Sequence, residues 1–116
     1  MPDFILLLHR QVGPRPAFSP EEIAAVTRDY LGWGERQRAE GHLKAGEKLG
    51  DDPGRILSAE AGRVVVTDGP YAESKELLAG FYLIAAPDYD AACRIAETCP
   101  HLKYGGRIEI RRIDVV

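Results

Sequence analysis

Four charged side chains lie within nine consecutive positions: Asp68, Glu73, Lys75 and Glu76. Carboxylates beside an ammonium group are the raw material of acid/base chemistry. A carboxylate can take and return a proton while a lysine holds an anionic substrate. In that reading Asp68 is the base or acid, Glu73 stands beside it, and Lys75 anchors the anion. The same charges fit a turn aspartate followed by a solvated, salt-bridged loop. Both readings stand at the level of sequence.

Aromatic and imidazole groups supply the second set of candidates. Tyr30 and Trp33 lie four and three residues from their apolar neighbours and fall on one helical stripe, where they form core or the wall of an apolar pocket. Tyr82 alternates with Phe81 and Leu83 on a strand, so it faces the side opposite to them. Its hydroxyl is either satisfied in the core or presented in a cleft between sheet and helix. Tyr71, in the same corner as Asp68, and His9, at the exit of the first strand, complete the candidate substrate-binding set. His9, His42 and His101 have no ligand spacing between them and pair with no cysteine motif, which argues against a structural zinc site. Phosphate-loop, dinucleotide, nucleophile-elbow and zinc-protease patterns are absent from the sequence. No cofactor is expected.

These residues need elements to hold them. Phe4 to Leu8 is a continuous apolar run that suits a central strand. Ser19-Pro20-Glu21-Glu22 opens a helix, with Ser19 as N-cap, Pro20 at the first helical position and Glu22 closing a capping box. Ile23, Val26, Tyr30, Trp33 and Gln37 then follow at spacings of three and four, and Gly41 ends the helix. Gly32 and Gly34 are expected to permit a close approach of this helix to a sheet or ligand. His42 to Leu49 reads as a second strand, with Gly46 as a bulge. Arg55 to Ala59 and Arg63 to Thr67 form a hairpin around Glu60-Ala61-Gly62. Asp68-Gly69-Pro70 stops the second arm, because Asp bonds locally, Gly tolerates positive φ and Pro fixes φ. Gly80 to Ala86 is a strand. Asp88 caps a second helix whose buried stripe is Tyr89, Ala92, Cys93, Ala96 and Cys99, bounded by Pro100. His101 to Gly106 loops back into a last strand, Arg107 to Val115.

The order is β-α-β, a hairpin, then β-α-β. Without the hairpin this is a split βαβ arrangement. The expectation is an α+β, ferredoxin-like βαββαβ fold with an inserted β-hairpin and an antiparallel sheet. Helices on one face leave the other apolar and open, so two copies are expected to pack sheet to sheet as a homodimer.

The chain of 116 residues is read as one domain over 1–116, and it is long enough for a core without metal or disulfide staples. Apolar residues at 45% and a net charge of −3 argue for a globular protein without an electrostatic footprint on nucleic acid. The first residues lack a basic leader, and the Phe4–Leu8 run is too short to span a membrane. The expected location is the cytoplasm. Cys93 and Cys99 are six apart on the expected helix, about 9 Å along its axis, too far for a mutual disulfide. Both are read as small buried apolar groups.

Asp68-Gly69-Pro70-Tyr71 followed by Glu73, Lys75-Glu76 and Gly80-Phe81-Tyr82 resembles the hallmark of DGPF-type proteins in the bacterial YCII-related family, with Tyr71 where Phe is usual. Phe4 to Leu8, Trp33, Gly41, Gly46-Glu47, Leu49, Cys99-Pro100 and Glu109-Ile110-Arg111 extend the resemblance over nearly the whole chain. It implies a ferredoxin-like unit pairing into a dimeric α/β barrel. Some relatives carry a helix histidine that pairs with an aspartate. Its aligned position is near Tyr30, and with no histidine between Ser19 and Gly41 that pair is not carried over. By analogy with other dimeric α/β barrels, the resemblance implies a small cofactor-free enzyme of proton-transfer, lyase or isomerase type, acting on a small organic molecule. The alternative is a non-catalytic module that senses a small molecule or binds a regulatory protein partner, since DGPF-type proteins are associated with alternative sigma factors. A third reading makes the DGPY corner architectural.

Overall fold

The computed structural model describes residues 1–13, 17–70 and 73–116; Tyr71, named above, lies outside the described residues. Among the described residues, six strands and three helices run in the order β1 (Asp3–Gln11), α1 (Pro20–Ala39), β2 (Leu43–Lys48), β3 (Arg55–Glu60), β4 (Arg63–Asp68), β5 (Glu76–Ala85), α2 (Tyr89–Glu97), α3 (Pro100–Lys103) and β6 (Arg107–Arg112). Four strands make an antiparallel sheet in the order β2-β5-β1-β6, and β3 and β4 make a separate two-stranded sheet. This is the expected α+β, ferredoxin-like architecture with its hairpin inserted between β2 and β5.

The sheet has two unlike faces. Phe4, Leu6 and Leu8 of β1 are buried and share one core with Trp33 of α1, Leu43 of β2, Ile84 of β5 and Ala92 and Ala96 of α2. The pairings Phe4–Ile84 and Leu6–Tyr82 put these residues on the helix-covered face. Period-two alternation sends Ile5, Leu7, His9, Phe81 and Leu83 to the other face, where they are half-buried. Phe4, Leu6, Ile84 and Trp33 are the largest fully buried side chains. Each contributes roughly 2 kcal/mol through burial, and this sets which face the helices take.

Local signals act where they were expected. Glu22 N–H donates to Ser19 Oγ at 3.1 Å and Ser19 N–H donates to Glu22 Oε1 at 3.1 Å, so the capping box is complete. The α1 stripe sinks gradually: Ile23 is exposed, Val26 and Tyr30 are half-buried, and Trp33 and Gln37 are buried. Asp88 caps α2 by accepting from Ala91 N–H at 2.8 Å. The hairpin turns through Ala61 (φ 50°) and Gly62 (φ 76°). These are the two left-handed residues of a type I′ loop.

Several local expectations are corrected. The bulge in β2 falls between Leu43 and Ala45, not at Gly46. Gly46 instead lies under the ring of Tyr82, where an added Cβ would collide with ring carbons. Gly34 would tolerate a Cβ in ordinary contact with Leu43 at 3.7 Å, so neither it nor Gly32 is needed for a close approach. The second helix ends at Glu97, and Pro100 starts a short helix of its own, since proline is favoured in the first turn. Cys99 therefore precedes α3 and is buried, whereas Cys93 is exposed. Tyr89 is partly exposed but packs its ring edge-on against Phe4 at 4.9 Å, and its hydroxyl accepts from Arg112 N–H at 2.9 Å.

Candidate functional site

Three separate elements meet at His101, a residue expected from sequence to lie in a loop. The short α3 carries His101 against β1, and it is only 7% exposed. Its Nε2 lies 2.8 Å from the His9 carbonyl oxygen. A carbonyl can only accept, so Nε2 bears the hydrogen. The other nitrogen, Nδ1, is then the acceptor for the Tyr30 hydroxyl of α1 at 3.0 Å. The neutral tautomer is fixed by a backbone carbonyl, which leaves a basic lone pair on a tyrosine hydroxyl. Gly106 closes the site from behind: a Cβ there would run into the imidazole ring, and its N–H donates to the His101 carbonyl at 2.9 Å. No sequence motif announces this arrangement. The available signal was a histidine directly after Pro100, at the start of a helix, with glycines close behind.

Around the pair the packing is aromatic. Tyr104 stacks on Tyr30 with ring centroids 6.2 Å apart and 26° between planes. Its hydroxyl donates to Asp29, which Lys103 also reaches at 3.0 Å. These bonds, that from Tyr104 first, hold the Asp29 carboxyl below the usual range. On the sheet side, Trp33 packs against Tyr82 at 4.9 Å and donates its indole N–H to Thr98 Oγ1 at 2.8 Å. Burial, with Cys99 a lesser cause, pushes the Tyr82 phenol up to about 12. Burial likewise raises the Cys99 thiol, which therefore stays protonated and unreactive. Trp33 is fully buried and in the single chain shows no surface to a ligand; Tyr82 and Tyr30 are half-buried.

The remaining candidates are placed elsewhere. Asp68 ends β4 with its side chain 85% exposed, and its carboxylate lies 3.5 Å from Arg55 of the same hairpin. Glu73 and Lys75 are exposed, and the Lys75 carbonyl accepts from Val12 N–H at 3.0 Å. The corner itself is tight. Gly69 is buried, its N–H donates to the Gly54 carbonyl at 3.1 Å, and a Cβ there would come within 2.6 Å of the Pro53 carbonyl oxygen. Glu76, the fourth charge of the run, turns to the open sheet face and is clasped by Arg107, whose hydrogen bonds lower its carboxyl. His9 also points its ring to the open face, 3.0 Å from Glu109, while its carbonyl serves His101. Thus Tyr30, Trp33 and Tyr82 come together in one layer, and the ionic residues of the corner stand apart from it at the surface.

Among the described residues no cluster of histidine, cysteine and carboxylate groups could hold a metal ion, and no helix is long and apolar enough to cross a membrane.

The family model for the YCII-related domain matches residues 5–115. An uncharacterised protein of Rhizobium meliloti (strain 1021) is 33% identical over 94 residues, a span covering 80% of this chain and 76% of that protein. The family match runs from the first strand through the last and takes in the whole Tyr30–His101 layer. The chain belongs to the YCII-related family.

Proposed function

We propose that the chain is a small cofactor-free enzyme that moves a proton on a small organic molecule, with the Tyr30–His101 pair at its centre. The observation behind this reading is the fixed tautomer of a buried histidine whose basic nitrogen meets a tyrosine hydroxyl. In the forward step Tyr30 Oη takes the substrate proton as its own proton passes to His101 Nδ1. The imidazolium that forms keeps its Nε2–H on the His9 carbonyl. The reverse transfer returns a proton to another atom of the substrate, which makes the net step an isomerisation. Tyr82, with a phenol raised to about 12, stays a neutral donor near the same layer. Asp68, Glu73 and Lys75 are solvent-facing, so in this proposal they attract a charged substrate to the surface of the stretch that carries Tyr71 and take no part in the proton transfer. We assign the working unit as a homodimer, because Ile5, Leu7, Phe81 and Leu83 leave an apolar sheet face half open.

The test is deuterium incorporation. Pools of small oxo acids and lactones are incubated with the protein in D2O, and exchange at carbon is read by NMR. The expected result is exchange in at least one compound that drops by about a hundredfold in Tyr30→Phe, at the low end of what a lost acid/base group costs. Undiminished exchange in folded Tyr30→Phe rejects the pair as the catalytic group.

One observation favours the alternative of a partner-binding module. Leu57 pairs with Val66 and Ala59 with Val64, so one face of the hairpin is apolar, and Leu57, Val64 and Val66 are 65%, 71% and 53% exposed. A regulatory protein partner would sit there, and its affinity would be lost in Val64→Glu and kept in Tyr30→Phe.

A further inference from the structure

Two helical turns beyond Tyr30, the end of α1 meets the exit of β5 and the flank of α2 in a groove of about 320 Å³. Its buried part is apolar: Ala86 is fully covered, and Ala85 and Ile95 are half-covered. Its polar part comes from three places: Gln37 and Glu40 at the end of α1, His42 before β2, and Arg94 and Thr98 on and just after α2. Gln37 is buried and its Oε1 accepts from His42 Nδ1 at 3.0 Å, so the ring is held by a buried partner. That bond leaves Nε2 as the edge of the ring that meets a ligand, an acceptor when neutral and a donor when protonated. The one carboxylate in the groove, Glu40, lies on the engaged side of the ring, 3.7 Å from Nδ1. Among the described residues no ion pair ties down the Arg94 guanidinium, which is exposed.

We infer that this groove binds a small free monocarboxylic acid, its carboxylate on Arg94 and His42 Nε2 and its short hydrocarbon body on Ala85, Ala86 and Ile95. A guanidinium fork matches the two oxygens of a carboxylate, and a protonated imidazole adds Nε2–H as a further donor. Glu40 works against a dianion, which disfavours a phosphate monoester or a dicarboxylate of the same size. The volume sits at the small end of ligand sites, which start near about 300 Å³, so the apolar body is a few carbons long.

The experiment is an amide-resolved NMR titration of the full chain with sodium butyrate, the ionic strength held constant with sodium chloride. Saturable shifts are expected at Ala85, Ala86, Arg94 and Ile95, with a dissociation constant on the order of 1 mM. Arg94→Gln, a change at an exposed position, weakens binding by about tenfold, and Arg94→Lys keeps most of it. Butylamine, which has the same hydrocarbon and the opposite charge, gives no saturation. Linear shifts with butyrate, equal binding of butylamine, or unchanged affinity in Arg94→Gln each overturn the inference. So does a tripeptide ending in alanine that binds about tenfold tighter than butyrate, since the groove would then read a peptide terminus instead of a free acid.

Discussion

A backbone carbonyl decides which nitrogen of His101 is basic. Because the His9 oxygen accepts from Nε2, the Tyr30 hydroxyl has an acceptor at Nδ1, and removing that hydroxyl deletes a half-buried hydrogen bond. Tyr30→Phe is expected to cost about 1–2 kcal/mol in urea unfolding, enough to measure and too little to unfold the chain. Gly106→Ala tests the back wall. Its methyl group has no space beside the imidazole, so the ring must leave the His9 carbonyl. The expected cost is about 2–3 kcal/mol, with loss of the Nε2–H signal in proton NMR. Tyr82 gives an alkaline prediction. Its folded phenol titrates near 12 against about 10 when unfolded, so between these values the unfolded state holds fewer protons and stability falls as pH rises. Tyr104 adds a fall of the same sign, because its bond to Asp29 raises its phenol. The Tyr82 share is therefore read as the difference in slope between wild type and Tyr82→Phe in urea midpoints taken across the alkaline range up to about pH 12. Sequence reasoning reached Tyr30, Trp33 and Tyr82 through helical and strand periodicity, which are local. It missed His101 because the burial of that ring depends on β1, α1 and Gly106 at once, and no local pattern around Pro100 joins the three.

Elements were legible in proportion to how local their causes are. The Ser19 capping box needs four consecutive residues, and both of its hydrogen bonds form as read. Ser19→Ala removes the side-chain half and is expected to cost about 1 kcal/mol in urea unfolding, with a Ser19→Thr control near wild type. The strand alternation in β5 and the Ala61-Gly62 turn were legible for the same reason. The continuous apolar run Phe4 to Leu8, by contrast, read as a strand covered on both faces, and in the single chain only its Phe4, Leu6 and Leu8 side is buried. Gly46 shows the limit. Its neighbours read as a bulge, yet the glycine is needed because β2 crosses Tyr82 of β5, a strand far along the chain. That long-range contact has no signature inside β2. The Asp68-Gly69-Pro70 corner divides likewise. Gly69 has a structural reason, the Pro53 carbonyl beside it, whereas Asp68 points into solvent toward Arg55. A charge run near a tight turn looked like one unit in sequence because the turn residues and the charges share the same short stretch; in space they separate.

At the scale of the whole molecule the uncovered sheet face is the strongest remaining demand. Ile5, Leu7, Phe81 and Leu83 form an apolar centre, and the His9–Glu109 hydrogen bond and the Glu76–Arg107 ion pair line one end of it. An apolar centre with a charged edge is the anatomy of a dimer contact, and a two-fold axis lets one such surface meet itself. Light scattering of the purified chain at micromolar concentration is expected to give about twice the chain mass of 12.8 kDa. Leu7→Glu is the informative change. Leu7 sits directly between Phe81 and Glu109 across its two neighbouring strands, so a glutamate there puts a like charge beside Glu109 and a carboxylate into the apolar centre of the face. In one chain that position already sees water, so the variant stays folded with a urea midpoint near that of the monomer, while its mass falls to 12.8 kDa. Leu57→Glu is the matching change on the hairpin and is expected to leave the dimer intact. If the two results are exchanged, the hairpin makes the contact and the sheet face does not. The apolar side of β3 and β4 would then be the interface, and the open sheet would be left as the surface in need of a partner.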